Sequence, residues 1–181
     1  KAACHYLLEK LRLAGVTKAY IVLREGKWDI PAYLGDGAMF DLNLAYLLMS
    51  KPFGAPYTVD QAFAFIQEST VAFGFPDILF QPDDAFDRML SQQSQTNADI
   101  VLGAFPVSQE QHFDRLGWHN RGRVREIEIM TRASPLMYTW IAAVWGPGFT
   151  RFMHEHLIAV EQMKQPERAA CTSAEPSELS M

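Results

Sequence analysis

Cysteine is scarce: the 181 residues hold only Cys4 and Cys171, near opposite ends and without C-x-x-C spacing, so reduced, unpaired thiols are expected. No apolar run approaches the length of a membrane span, and no basic, apolar, small-residue leader opens the chain, which predicts a cytoplasmic protein without a membrane partner. Positive charge is also short. With 16 Lys and Arg against 21 Asp and Glu, the formal net charge is -5, which argues against nucleic acid or anionic membrane as a general partner. Any anionic substrate must then be met by local cations or a metal. A Walker loop, G-x-G-x-x-G, G-x-S-x-G and H-E-x-x-H are all missing, as are internal repeats and heptads. The five histidines do not cluster. His154 and His156, two apart on a predicted helix, point to different sides, which favours packed or solvated histidines over a zinc pair. His112 and His119 flank a short strand with no spacing that demands a ligand.

What the chain does hold is the balance of an ordinary globular domain, 49% apolar and 20% charged. One domain over residues 1–164 is expected. From Gln165 the composition turns to Pro, Glu, Ser and Ala, so 165–181 reads as a loop or poorly ordered tail. The chain opens without Met and stops at Met181 with no completed element, which reads as a piece of a longer domain.

Cys4, Leu7, Leu8, Leu11 and Ala14 mark an amphipathic helix ended by Gly15. Strands are expected at Ala19–Leu23, Leu42–Met49, Val71–Phe75, Ile100–Val107, Leu116–Trp118, Val124–Met130 and Thr139–Trp145. Helices are expected at Glu25–Leu34 with Pro31 as an interruption, at Thr58–Gln67, from Asp83-Asp84 onward, and at Phe149–Met163 with Phe152, Met153, His156, Leu157 and Val160 at core spacing. Alternating helices and apolar strands predict an α/β fold: a Rossmann-like, doubly wound, mostly parallel sheet with a small mixed or antiparallel section. Its centre is expected at Thr70–Phe80, where an apolar run buried on both faces delivers Asp77 to a strand's carboxyl end. A lone carboxylate there suits Mg²⁺, which is held by one or two carboxylates plus substrate phosphates. It equally suits a cap for the helix near Asp83, and the residues alone leave the two open.

The order of these pieces resembles the sugar-1-phosphate nucleotidylyltransferases, most closely the glucose-1-phosphate thymidylyltransferase type. K-A-A-C-H-Y-L-L-E-K-L-R-L-A-G-V at Lys1–Val16 is similar to the family's segment from its K-P dipeptide to A-G-I or A-G-V. Tyr33-Leu34-Gly35-Asp36-Gly37, followed by Phe40, Leu42 and Asn43, resembles Y-L-G-D-G-S-x-F-G-V-N-L. Pro52-Phe53-Gly54 stands where the family has P-x-G, and Phe73–Phe80 where it has V-L-G-D-N-I-F. The resemblance runs to about Trp145 and implies the transfer of a nucleotidyl group from a nucleoside triphosphate to a sugar 1-phosphate, with Mg²⁺ as cofactor and pyrophosphate released. It implies Asp77 as metal ligand and catalytic residue, Lys1 as the lysine that meets phosphate, and Gly54, Ala55 and Tyr57 at the base. Asp114 and Glu128 fall at the sugar side, and the family allows a homo-oligomer.

Departures from the family pattern are equally plain. Ala2 replaces the proline of K-P, and the G-G-x-G-T-R-L triphosphate loop is absent from this sequence, as is the second metal aspartate. A triphosphate carries about four charges, so without that cradle and ligand most transition-state stabilisation is lost, and these residues are expected to be inactive alone. Y-G-V-V is met by Phe113-Asp114-Arg115-Leu116, E-E-K-P by Glu128-Ile129-Met130-Thr131, and the glycine of the next strand by Ala142. Arg115, Arg125 and Arg132 are the nearby cations, although arginines along a hairpin usually form a solvated face. The alternatives are a catalytically silent nucleotide or nucleotide-sugar binding domain of the same fold, and a glycosyltransferase, whose usual D-x-D lacks its second acid in Asp77-Ile78-Leu79.

Overall fold

The computed structural model describes residues 1–50, 54–108, 113–120, 122–130 and 134–172, with side chains through 163. The first helix, α1 (Ala3–Leu13), buries Leu7, Leu8 and Leu11 at the expected spacing. It ends in a Schellman motif: Gly15 at φ +83° donates its N–H to the Arg12 carbonyl at 3.0 Å, and Val16 donates to that of Leu11 at 3.1 Å. Strand β1 (Lys18–Arg24) follows, then α2 (Asp29–Leu34), which starts four residues later than Glu25 so that Pro31 falls in its first turn. A short 3-10 helix (Ala38–Phe40) leads into β2 (Asn43–Met49), parallel to β1.

The turn between α2 and β2 is built by Gly35-Asp36-Gly37. Asp36 Oδ1 accepts the Ala38 N–H at 3.0 Å, Tyr46 Oη donates to the Gly35 carbonyl at 2.6 Å, and the Gly37 carbonyl accepts from Phe40 and Leu42 at 2.9 and 3.2 Å. Gly37 has φ +94°, and a Cβ there would stand 2.4 Å from the Leu42 oxygen. The motif that carries most of the family resemblance is thus a turn that seats β2.

Where one helix is expected over Thr58–Gln67, the chain forms two: α3 (Ala55–Asp60) and α4 (Phe63–Ile66). Pro56 in the first turn of α3 moves its start forward of Thr58. Strand β3 (Val71–Gly74) stops two residues before Pro76, and α5 (Ala85–Thr96), β4 (Ile100–Pro106), β5 (Arg115–Trp118), β6 (Val124–Glu128), β7 (Tyr138–Trp145) and α6 (Pro147–Thr172) complete the order. α6 continues past Gln165, where loop was expected. Its buried side is Leu157 with the half-buried Met153, His154 and Val160; Phe152 and His156 are exposed instead. Among the described residues no helix is long and apolar enough to cross a membrane.

The described strands fall into separate ladders and not one continuous sheet. The described ladders form a parallel pair β1-β2, an antiparallel sheet β3-β7-β4 and a hairpin β5-β6. β7 runs antiparallel between β3 and β4 as the middle strand of this ladder, with Ile141 to Trp145 buried. Among the described residues β3 has a ladder partner on one side only, and it is half-buried throughout. α1 and α5 cover one face of this sheet through Gly74, where a Cβ would stand 2.7 Å from a Leu7 methyl and 3.2 Å from the Phe86 ring. One core holds both sheets, with Leu7, Leu8, Leu11, Phe86 and Met89 at its centre and Ile21, Leu44 and Tyr46 packed against it from β1 and β2.

Candidate functional site

Asp77 stands just beyond β3, between two anchors. Before it, Phe75 packs on Phe73 at 5.0 Å and on Trp140 of β7 at 5.6 Å between ring centroids. After it, Phe80 is buried against Phe86 and Phe105, with the Lys10 ammonium 5.2 Å above its ring. Apolar residues on both sides pin the backbone while the carboxylate remains exposed, and among the described residues it accepts no hydrogen bond. The capping role is not what this geometry shows: α5 begins at Ala85 with Asp84 at the N-cap position, and Asp84 spends its carboxylate on Arg88 at 2.9 Å.

Lys1 lies ahead of α1, its Nζ 2.8 Å from Glu9 Oε1 and 5.8 Å from the Tyr6 centroid. The hydrogen bond to Glu9 raises the lysine's pKa, and the same bond lowers that of Glu9. Gly54, at φ +113°, precedes α3, and its carbonyl accepts both the N–H and the hydroxyl of Thr58 at 3.1 Å. That hydroxyl also lies 3.6 Å from Met49 Sδ, tying the turn to the end of β2. Ala55 is exposed and Tyr57 half-buried on this first turn. Lys51, Pro52 and Phe53 lie outside the described residues, as do His112, Thr131 and Arg132.

The β5-β6 hairpin brings Asp114 and Glu128 together. Asp114 Oδ1 accepts the Met130 N–H at 3.1 Å, and Glu128 is the register partner of Arg115. Arg115 is not on a solvated face: its side chain is buried and donates from Nη2 to the Ser108 carbonyl at 2.9 Å, while Arg125 is exposed. Three clusters result: the α3 turn, the segment after β3, and the hairpin. Lys1 is engaged with Glu9 of α1. No three of His, Cys, Asp and Glu gather as a metal-holding group among the described residues. A single exposed carboxylate fits Mg²⁺ only as one ligand beside water and phosphate oxygens.

Two side-chain clusters are absent from the sequence reading. Lys10, three residues after Leu7, is buried and forms an ion pair with Asp83, which holds the Asp83 carboxyl below the usual carboxylate range. With Tyr6, Arg12, Met39, Phe40 and Asp41 this pair lines a groove of about 850 Å³ beside α1 that contains none of the expected site residues. His154 of α6 lies 2.9 Å from Asp60 and stacks on Phe63 at 3.6 Å, so it is a packed histidine.

No protein-family model matches the chain. Over 59 residues it is 32% identical to a glucose-1-phosphate thymidylyltransferase of Streptomyces antibioticus and 37% identical to one of Streptomyces griseus, each match covering 33% of this chain and 17% of the relative. In fold it is similar to a Bacillus anthracis protein assigned as a glucose-1-phosphate thymidylyltransferase, crystallised with sucrose. That similarity has a TM-score of 0.75 at 16% identity over 83% of this chain and 61% of the other. A UDP-glucose pyrophosphorylase complexed with UDP-glucose gives 0.68 at 15% identity over 83% and 66%. The chain therefore spans less than two thirds of the solved relatives, and the curated matches reach about a sixth of theirs. The chain is thus similar to sugar-1-phosphate nucleotidylyltransferases in sequence over 59 residues and in fold over most of its length.

Proposed function

We propose that this chain is part of an enzyme that moves a nucleotidyl group from a nucleoside triphosphate to a sugar 1-phosphate, forming a nucleotide sugar and pyrophosphate. The observation that carries the reading is Asp77, an exposed carboxylate on a backbone pinned by Phe75 and Phe80, in a fold shared with sugar-nucleotide enzymes. In this reaction the sugar-phosphate oxygen attacks the α-phosphorus, the bond from that phosphorus to the bridging oxygen breaks, and pyrophosphate leaves. The protein forms no covalent bond; it positions the groups and neutralises charge.

Asp77 would hold Mg²⁺, which when bound offsets the charge of the phosphates. Gly54, Ala55 and Tyr57 would face the base. Asp114 and Glu128 would face the sugar, where Ile129 and Met130 replace the family's polar residues and select a different acceptor. Lys1 would exchange Glu9 for phosphate, a trade made easy by the exposure of that pair. The parallel pair β1-β2 and the antiparallel sheet β3-β7-β4 would be two parts of one Rossmann-like, mostly parallel sheet, a reading supported by their shared core.

The test is pyrophosphorolysis of dTDP-glucose and UDP-glucose by the whole protein with Mg²⁺ and pyrophosphate, followed by release of labelled triphosphate. Triphosphate release that is lost in Asp77→Asn supports the reading. Binding of a nucleotide sugar without turnover would favour the silent binding domain, and neither binding nor turnover would overturn both.

A further inference from the structure

α3 and α4 are six and four residues long, and α3 has no side-chain N-cap. Helices this short do not hold their shape alone, so their placement depends on what they touch. Part of the support is apolar: Ala62 and Ile66 are buried, and Phe65 stacks on Tyr20 of β1 at 5.4 Å. The polar support comes from α6. His154 Nδ1 lies 2.9 and 3.1 Å from the two oxygens of Asp60, the last residue of α3. Two carboxylate oxygens can only accept, so Nδ1 carries the hydrogen and donates it. The same imidazole lies flat on Phe63, the first residue of α4, at 3.6 Å and 7°. One turn earlier, Arg151 donates to Glu68 at 3.2 Å and to the Gln67 carbonyl at 3.4 Å, just past α4.

One side chain therefore grips both short helices at their junction, from an element outside the expected site. We propose that His154 is a positioning residue for the Gly54–Tyr57 turn: by bonding Asp60 and stacking on Phe63 it sets the attitude of α3, and so where that turn meets its ligand. This rests on the reading of that turn as the base-contacting segment. The ligand is the nucleoside part of a nucleotide sugar.

The experiment measures dTDP-glucose and UDP-glucose binding with Mg²⁺ on the intact protein for wild type, His154→Ala and His154→Asn, with amide hydrogen exchange over residues 55–66 and the unfolding midpoint of each. The asparagine amide can donate to Asp60 but cannot stack as the imidazole does. His154→Ala is expected to weaken binding roughly 10- to 100-fold, the usual effect of removing an outer support of a site, and to speed exchange in residues 55–66 while α1 and α5 stay protected. His154→Asn is expected to recover part of the affinity. A lower unfolding midpoint with unchanged affinity in His154→Ala would show a merely structural residue and overturn the proposal. Wild-type protein that binds neither ligand would overturn the functional reading and this proposal with it, whereas wild-type binding matched by both variants would overturn this proposal alone.

Discussion

Replacing Gly37 with alanine tests whether the Y-L-G-D-G segment is a structural turn. The residue sits at φ +94°, where an alanine pays roughly 1–2 kcal/mol for the left-handed backbone. Its Cβ would also lie 2.4 Å from the Leu42 oxygen and 2.6 Å from Leu44 Cγ. Relief is difficult, because the Leu42 backbone is tied back to the Gly37 carbonyl by a 3.2 Å hydrogen bond and Leu44 is tied to the Asp36 carbonyl at 2.9 Å. Overpacking of this kind costs typically about 1–3 kcal/mol. The sum, roughly 2–5 kcal/mol, is a large part of the 5–15 kcal/mol usual for a native domain. Gly15→Ala is the matched control: φ is +83° but nothing lies within 4 Å of the added carbon, so only the backbone cost of roughly 1–2 kcal/mol is expected. Urea unfolding of wild type and the two variants gives both numbers. If Gly37→Ala loses no more stability than Gly15→Ala, the close approach of β2 to this turn is wrong and so is the structural account of the motif.

Gly74→Ala should cost about 1–3 kcal/mol by pushing on Leu7 and Phe86, read by urea unfolding, and a paired Leu7→Ala change should recover little of it because the cavity term then takes over. A neutral Gly74→Ala would mean that α1 does not seat on β3. The Lys10–Asp83 pair makes a pH-dependent contribution. Because the folded Asp83 carboxyl titrates below its ordinary value, its stabilisation is fully present above about pH 4 and is lost as pH falls through the lowered value. Asp83→Asn, which leaves the buried Lys10 ammonium without its counter-charge, should therefore lower the unfolding midpoint at pH 6 and differ less from wild type at pH 3; an equal gap at both would contradict the pairing.

The elements were legible because their signals are local. Gly15 stops α1, Pro76 limits β3 and Gly122 turns the β5-β6 hairpin, and most runs between such residues take the expected form, the Thr58–Gln67 stretch being split into α3 and α4. Which strands pair is not legible: an apolar run such as Val71 to Phe75 states how much it wants to be buried and nothing about its partner, and the antiparallel placement of β7 between β3 and β4 emerges only in the fold. In α6 the shift of composition and Pro166 read as a stop, but the Glu, Arg and Ala residues there are good helix formers and the helix goes on. For the candidate site, periodicity and motif order reach Asp77 and the Gly54 turn. They cannot reach Lys10–Asp83 or His154–Asp60, whose members are 73 and 94 residues apart and meet only through the fold. Asp114 shows the opposite limit, since a residue expected at the sugar spends one carboxylate oxygen on closing its own hairpin.

The most direct measurement is Mg²⁺-dependent binding of dTDP-glucose and UDP-glucose by wild type and Asp77→Asn, with the unfolding midpoint taken on the same samples. The amide is nearly isosteric with the exposed carboxylate and should leave the fold intact, but it lacks the charge that Mg²⁺ requires. The expected result is an unfolding midpoint shifted by no more than about 1 kcal/mol in stability, together with Mg²⁺-dependent binding reduced by orders of magnitude. Binding that is the same in both proteins would remove Asp77 from the centre of the site and contradict the account.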